Sequence, residues 1–136
     1  MASSVMKQYL KQMYLLADAT DRVVPSQLAN VLGVNPATVS KMVRKLSNQG
    51  WVKFEHYGRV YLTCEGKKLG KTLVEHSEVL EQFFNIIRVE DDSMWNETND
   101  LEFYISPNLI QKIEILTQYF HQDTSRIQSF NRFCSQ

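Results

Sequence analysis

Only two cysteines occur in 136 residues, Cys64 and Cys134, and neither has a C-x-x-C partner. Neither a disulfide framework nor a zinc ribbon therefore organises the chain. No long uncharged apolar run is available for a membrane span, and the start does not read as a signal peptide, so the expected location is cytoplasmic, away from membranes. The three histidines are scattered, no triad-like grouping occurs, and no glycine-rich loop is built to cradle phosphate. Those absences argue against an enzyme. Repeats and low-complexity stretches are also missing. With 43% hydrophobic residues the chain reads as one globular domain or two small packed halves.

The balance of fifteen basic against fifteen acidic residues hides a polarity along the chain. Residues 1–71 hold eleven Lys and Arg against four acids, a net +7, and residues 72–136 hold four against eleven, a net −7. A basic half suits phosphates. The acidic half must do something else.

Within the basic half, the stretch from Val24 to Trp51 reads as a helix-turn-helix. Pro25 and Ser26 open a helix that ends at Gly33, where the chain needs positive φ to turn sharply, and Ala29 supplies the small side chain that two crossing helices require. Asn35 is a good N-cap and Pro36 suits the first position of the next helix. There Val39, Met42, Val43 and Leu46 recur at i, i+3, i+4, i+7, the spacing of one buried stripe. Gly50 closes it. The remaining face carries Ala37, Thr38, Ser40, Lys41, Arg44, Lys45 and Asn48 without an acid. Such a face fits a DNA major groove, with Pro36 to Lys41 entering it, Thr38 and Ser40 meeting base edges, Ala37 touching a thymine methyl, and Lys41 and Arg44 reaching guanine or phosphate. Ser26 and Lys45 complete the expected contacts on these two helices.

Two alternating segments follow, Trp51 to Glu55 and Val60 to Thr63, separated by His56-Tyr57-Gly58-Arg59. They predict a two-stranded hairpin, a wing whose tip presents Tyr57 and Arg59 to the backbone or the minor groove. Ahead of the helix-turn-helix, a first helix from about Val5 to Ala17 carries Leu10, Met13, Tyr14 and Ala17 on one stripe, and Asp18 to Arg22 makes a polar turn. Beyond the wing, Thr63 caps a long helix over about 64–87 with Leu69, Leu73, Leu80, Phe83 or Phe84, and Ile87 at helical intervals. That helix joins a winged helix-turn-helix domain, 1–71, to a helical domain, 72–136. Glu90-Asp91-Asp92-Ser93 breaks the pattern and precedes a shorter helix through Met94, Trp95, Leu101 and Tyr104. Ser106-Pro107 starts another, in which Leu109, Ile110, Ile113, Leu116, Thr117 and Phe120 form a wide apolar face. Asp123 or Thr124 caps a last segment reaching Phe133. The fold class is mainly α, and the spare apolar surface of the second half suits dimerisation through Met94, Trp95, Leu101, Leu109, Ile110 and Ile113.

From Met6 to about Asp123 the chain resembles the manganese transport regulators of the diphtheria toxin repressor family, in the short form without the extra C-terminal domain. The resemblance rests on Gln12-Met13-Tyr14, Ser40-Lys41-Met42-Val43, Leu62-Thr63 with Gly66-Lys67-Lys68, Leu80-Glu81-Gln82-Phe83 with Ile86-Ile87, and Gln118-Tyr119-Phe120. It implies a homodimeric repressor of duplex DNA in which Mn²⁺ joins an N-terminal winged helix to a C-terminal dimerisation domain.

The departures from that family fall on the metal ligands. At the two carboxylate positions of the first helix stand Gln8 and Lys11, the histidine of the long helix is Ser77, and the last Glu, Glu-His set becomes Asn99, Glu102 and Phe103. One surviving carboxylate does not hold a divalent ion that wants several O/N ligands. No Mn²⁺ is expected at the family's position. His76 is one residue off, turned about 100° around the helix axis, and reads as a packing or surface histidine; Asp100 beside Asn99 reads likewise. The expected replacement is a fixed bridge from the Lys11 ammonium to Glu102, with Gln8, Ser77 and Asn99 nearby, and the alternative is a decayed site with Lys11 in solvent. The function expected is a dimeric, sequence-specific transcriptional regulator, a repressor, that does not need Mn²⁺. A second reading is an interaction protein that pairs with a metal-sensing relative and modulates it.

Overall fold

The computed structural model describes residues 2–89, 98 and 100–136. The chain divides into two compact units, Met1–Val74 and Glu75–Gln136. Each is described by itself.

In the first unit, helix α1 covers Ser4–Leu16 and is N-capped by Ser3, whose side chain accepts from the Met6 N–H. Its buried residues are Tyr9, Leu10 and Met13, with Tyr14 and Ala17 packed at the edge of the same core. The turn after it is held by Asp18 Oδ1, which accepts from the Thr20 N–H, the Thr20 hydroxyl and the Arg22 N–H. These bonds hold the Asp18 carboxyl below its ordinary pKa, the Thr20 hydroxyl contributing most. Strand β1, Arg22–Val23, follows. Helix α2 covers Pro25–Leu32 and helix α3 covers Pro36–Asn48. Between them Gly33 takes φ 67°, ψ 34°, the left-handed conformation expected of it.

Strands β2, Val52–Glu55, and β3, Arg59–Leu62, pair antiparallel with Val52 opposite Leu62 and Glu55 opposite Arg59. The wing hairpin is present, but β1 adds a third strand against the other edge of β3, with Val23 opposite Val60. Two residues are too few to show alternation, which is why the sequence pattern stops at the hairpin. Phe54 also departs from the pattern, since it is 41% exposed while Val52 is buried. One core gathers Leu10, Met13, Val23, Leu28, Val39, Val43, Leu46, Val52, Val60 and Leu62 from α1, all three strands, α2 and α3.

Helix α4, Cys64–Ile86, begins in the first unit and continues into the second. Thr63 starts it: its Oγ1 accepts from the Gly66 N–H and its hydroxyl donates to the Gly50 carbonyl at 2.6 Å, fastening the helix start to the turn that ends α3. Two glycines then let neighbours in close. A Cβ on Gly66 would run into the Trp51 carbonyl oxygen, and one on Gly70 would sit 2.7 Å from Tyr14 Cβ and 2.8 Å from the Leu10 carbonyl oxygen.

In the second unit, Leu80, Phe84, Val89 and Ile110 form a core, with Val79, Phe83, Leu101, Ile105 and Ile113 packed on it. Of the aromatic pair, Phe84 is buried and Phe83 half-buried. Helix α4 stops at Ile86, and Ile87 lies in the turn beyond it, 40% exposed, because Arg88 at φ 66° diverts the chain and sends Val89 inward instead. The shorter helix expected through Met94, Trp95, Leu101 and Tyr104 falls partly outside the described residues. Its described end is a 3-10 turn over Leu101–Phe103, because Asp100 takes φ 67° and a left-handed residue does not continue an α-helix. Helix α5 covers Pro107–His121, with Ser106 accepting from the Leu109 N–H, and helix α6 covers Thr124–Cys134, with Asp123 accepting from the Ser125 N–H. Arg126 ties α6 to α5, donating to the Tyr119 carbonyl at 2.6 Å and lying 4.1 Å from the centre of the Tyr119 ring. Among the described residues no helix is long and apolar enough to cross a membrane.

Candidate nucleic-acid interface

The start of α3 is the most firmly tied point of the helix-turn-helix. Asn35 is extended at φ −81°, ψ 161°, and its Oδ1 accepts from both the Thr38 N–H at 2.9 Å and the Thr38 hydroxyl at 3.0 Å. Pro36 fills the first helical position, where a missing N–H costs nothing. Val39, Val43 and Leu46 are buried, Met42 is half-buried, and this stripe fixes which face turns outward. Pro36, Ala37, Thr38, Ser40, Lys41, Arg44, Lys45 and Asn48 all lie on that outward face and are exposed. Lys41, Arg44 and Lys45 make no ion pair among the described residues, so the face presents three uncompensated cations on the last two-thirds of the helix. Between Arg22 and Glu55 the chain has no acidic residue to oppose them.

Ser26 is exposed in the first turn of α2. That helix has Val24 at its N-cap and no side-chain cap bond; Pro25 has no N–H and those of Gln27 and Leu28 donate to the Val24 carbonyl, which leaves the Ser26 N–H as the one available in the first turn. At the wing tip Tyr57 is 98% exposed and held at φ 65°, a region that non-glycine residues seldom occupy. Gly58 beside it is at φ 71°. Arg59 is exposed on the first residue of β3, whereas Lys53 in β2 is paired with Glu55 at 3.3 Å.

The positions that the family resemblance assigns to metal ligands divide between the two units. Gln8 and Lys11 are half-buried on α1 in the first. In the second, Ser77 and Glu102 line one cavity of about 250 Å³ together with Leu80, Glu81, Phe84, Thr98 and Asp100. Glu102 is only 4% exposed and Phe103 is buried in the unit. Asn99 lies outside the described residues. Among the described residues no group of three or more His, Cys, Asp or Glu is placed to hold a metal ion.

Of the residues expected at a dimer interface, Met94 and Trp95 lie outside the described residues. Ile110 is buried in its own unit, and Leu101 and Ile113 pack against the same core, so these three serve the interior of that unit first. Leu109 remains outside at 50% exposure. The periodicity missed its neighbours Ile115 and Tyr119, which are also exposed; they lie off the stripe that pointed to Leu109.

A tightly capped helix after a left-handed glycine turn, a cationic outer face and a hairpin wing define a winged helix-turn-helix protein. Comparison with known proteins carries this to a family. Residues 1–60 match the iron dependent repressor N-terminal DNA binding domain, and residues 63–130 match the iron dependent repressor metal binding and dimerisation domain. The HTH-type transcriptional regulator MntR of Bacillus velezensis is 39% identical over 93% of this chain and 89% of its own, and that of Bacillus subtilis is 38% identical over the same shares. A solved manganese-dependent transcriptional repressor in complex with manganese superposes with a TM-score of 0.69 at 29% identity, covering 84% of this chain and 53% of its own. A hypothetical protein from Sulfolobus solfataricus shares the fold at a TM-score of 0.66 and 20% identity, over 90% of this chain and 92% of its own. The chain belongs to the iron-dependent repressor family and is a DNA-binding transcriptional regulator.

Proposed function

We propose that the protein is a dimeric, sequence-specific repressor that reads duplex DNA without Mn²⁺ at the position its relatives use. The observation that carries the first part is the outer face of α3, with small groups on the capped first turn and Lys41, Arg44 and Lys45 behind them. Small residues at a helix start allow entry into the major groove, and cations one and two turns on reach guanine edges or phosphates. Ser26, at the uncapped start of α2, is placed to meet a backbone phosphate through its N–H and hydroxyl. Tyr57 and Arg59 act from the wing. Leu109, Ile115, Leu116 and Tyr119 on α5 supply the apolar surface of the dimer, and a two-fold dimer matches two half-sites of an operator.

Metal independence rests on the donor set. A site with Gln8 and Lys11 in place of acidic residues repels rather than collects a dication, and Glu102 alone does not recover the affinity. The test is binding of the purified full-length chain to genomic DNA fragments, with a chelator and with added Mn²⁺ in parallel. Tight selective binding with equal dissociation constants is expected, weakening steeply as salt rises because phosphate contacts release counterions. Binding that appears only with Mn²⁺ overturns the metal-independent reading. Failure to bind any duplex, together with capture of a metal-sensing relative, replaces it with that of an interaction protein.

A further inference from the structure

The hydroxyl of Thr38 is already engaged. It donates to Asn35 Oδ1 at 3.0 Å, and the same oxygen accepts the Thr38 backbone N–H at 2.9 Å, so both donors of this residue converge on one cap atom. Turning the hydroxyl proton toward a base would remove one of the two bonds that hold the start of α3, at the point where the helix has no other side-chain cap. Thr38 is nevertheless exposed, on the outward face, between Ala37 and the buried Val39. What it has left to present is a methyl group and the hydroxyl's acceptor lone pairs. Its surroundings favour the methyl. Pro36 and Ala37, the other exposed residues of the first turn, offer only carbon in their side chains, so the turn meets DNA as a small apolar step. Polar side chains begin at Ser40.

We infer that Thr38 is a specificity-determining residue that reads DNA through its methyl group, against the 5-methyl of a thymine, while its hydroxyl serves as an internal cap. The inference rests on the DNA-binding reading above and names the base class that the first turn selects. In the major groove thymine differs from the other bases by that methyl, so an apolar step distinguishes it with no hydrogen bond. The recognition face then divides by chemistry along its length. Its first turn selects thymine by carbon contact, and Lys41 and Arg44, one and two turns further on, select guanine or hold phosphate.

The test uses the full-length chain and a duplex selected by it from a random library. Each thymine is exchanged in turn for deoxyuridine, which removes the 5-methyl and nothing else. For the unmodified protein, one thymine in each half-site is expected to weaken binding about fourfold on exchange, the worth of one buried methyl-sized group. Thr38→Val keeps the methyl and is expected to retain that discrimination. Thr38→Ser keeps the hydroxyl and the cap, and is expected to bind thymine and deoxyuridine duplexes equally at that position. Thermal melting checks that both variants fold, and the deoxyuridine scan of the unmodified protein stands without either. Thr38→Ser that discriminates as before overturns the inference, as does Thr38→Val that loses selectivity at an adenine or cytosine amino group. Selective binding that is indifferent to every thymine methyl overturns it and leaves the DNA-binding reading intact. No selective binding to any duplex overturns both.

Discussion

Helices α3 and α5 begin in the same way and end as different surfaces. Each opens on a capping side chain followed by proline, Asn35-Pro36 and Ser106-Pro107, and each cap accepts from the backbone N–H three residues on. Each also buries one stripe, Val39, Val43 and Leu46 in α3 and Ile110 and Thr117 in α5. The difference lies in what is left outside. Helix α3 exposes cations and small groups, whereas α5 exposes Leu109, Ile115, Leu116 and Tyr119. Capping and burial decide where a helix starts and how it rotates. The residues that no packing constrains decide what it meets.

The strongest way to test that division is to truncate one leucine from each category. Leu46 is wholly buried and Leu116 is 45% exposed. Leu46→Ala is expected to lower stability by about 2–5 kcal/mol, the cost of a core cavity. Leu116→Ala should leave unfolding in urea nearly unchanged under conditions where the chain is monomeric, while weakening self-association measured by sedimentation. Equal losses of stability from the two would show that the exposed face of α5 is part of the subunit's own core.

The two caps allow a finer comparison. Asn35→Ala and Ser106→Ala should each cost about 1 kcal/mol in thermal melting. Only the first should also weaken DNA binding, because it releases both the Thr38 N–H and its hydroxyl. If Ser106→Ala weakened DNA binding as much, the start of α3 would have no special role.

The smallest effect concerns acid. Asp18 is held below its ordinary pKa by the Thr20 hydroxyl and the Arg22 and Thr20 backbone N–H groups. A carboxyl depressed in the folded state contributes stability above its unfolded pKa, and the contribution fades as pH falls through the folded value. Asp18→Asn should therefore lower the melting temperature slightly near neutrality and converge with the unmodified protein under acid. Two melting curves that stay parallel down to strongly acidic pH would remove Asp18 from the account.

Much of the first unit was legible because its signals are local. Gly33, Asn35-Pro36 and the 39, 42, 43, 46 stripe each specify a conformation within a few residues, and the structure places the two helices within a residue of where those signals set them. Strand β1 was not legible, since Arg22 and Val23 become a strand only by pairing with Tyr61 and Val60, some forty residues away. The end of α4 was misplaced by one residue because periodicity does not register a positive φ at Arg88. The candidate DNA face could be listed from sequence, but its division of labour could not. The sequence offers Thr38 as a hydroxyl beside a methyl, and only the bond to Asn35 shows which of the two is occupied. The role of Gly70 escaped for a similar reason, being defined by how near Leu10 and Tyr14 come rather than by anything in its own surroundings along the chain.

Gly66 and Gly70 have a consequence for how chains of this kind can vary in length. Both positions admit no added carbon, and both count from the same origin at Thr63. A single residue inserted between Thr63 and Gly66 would turn the rest of α4 by about 100°. That would carry side chains into the places where Trp51, Leu10 and Tyr14 now meet bare backbone. The wing tip at His56–Gly58 has no such neighbours and can lengthen or shorten without disturbing the core. A residue inserted at the tip is accordingly expected to leave thermal melting nearly unchanged, while one inserted among the eight residues from Thr63 to Gly70 is expected to unfold the first unit.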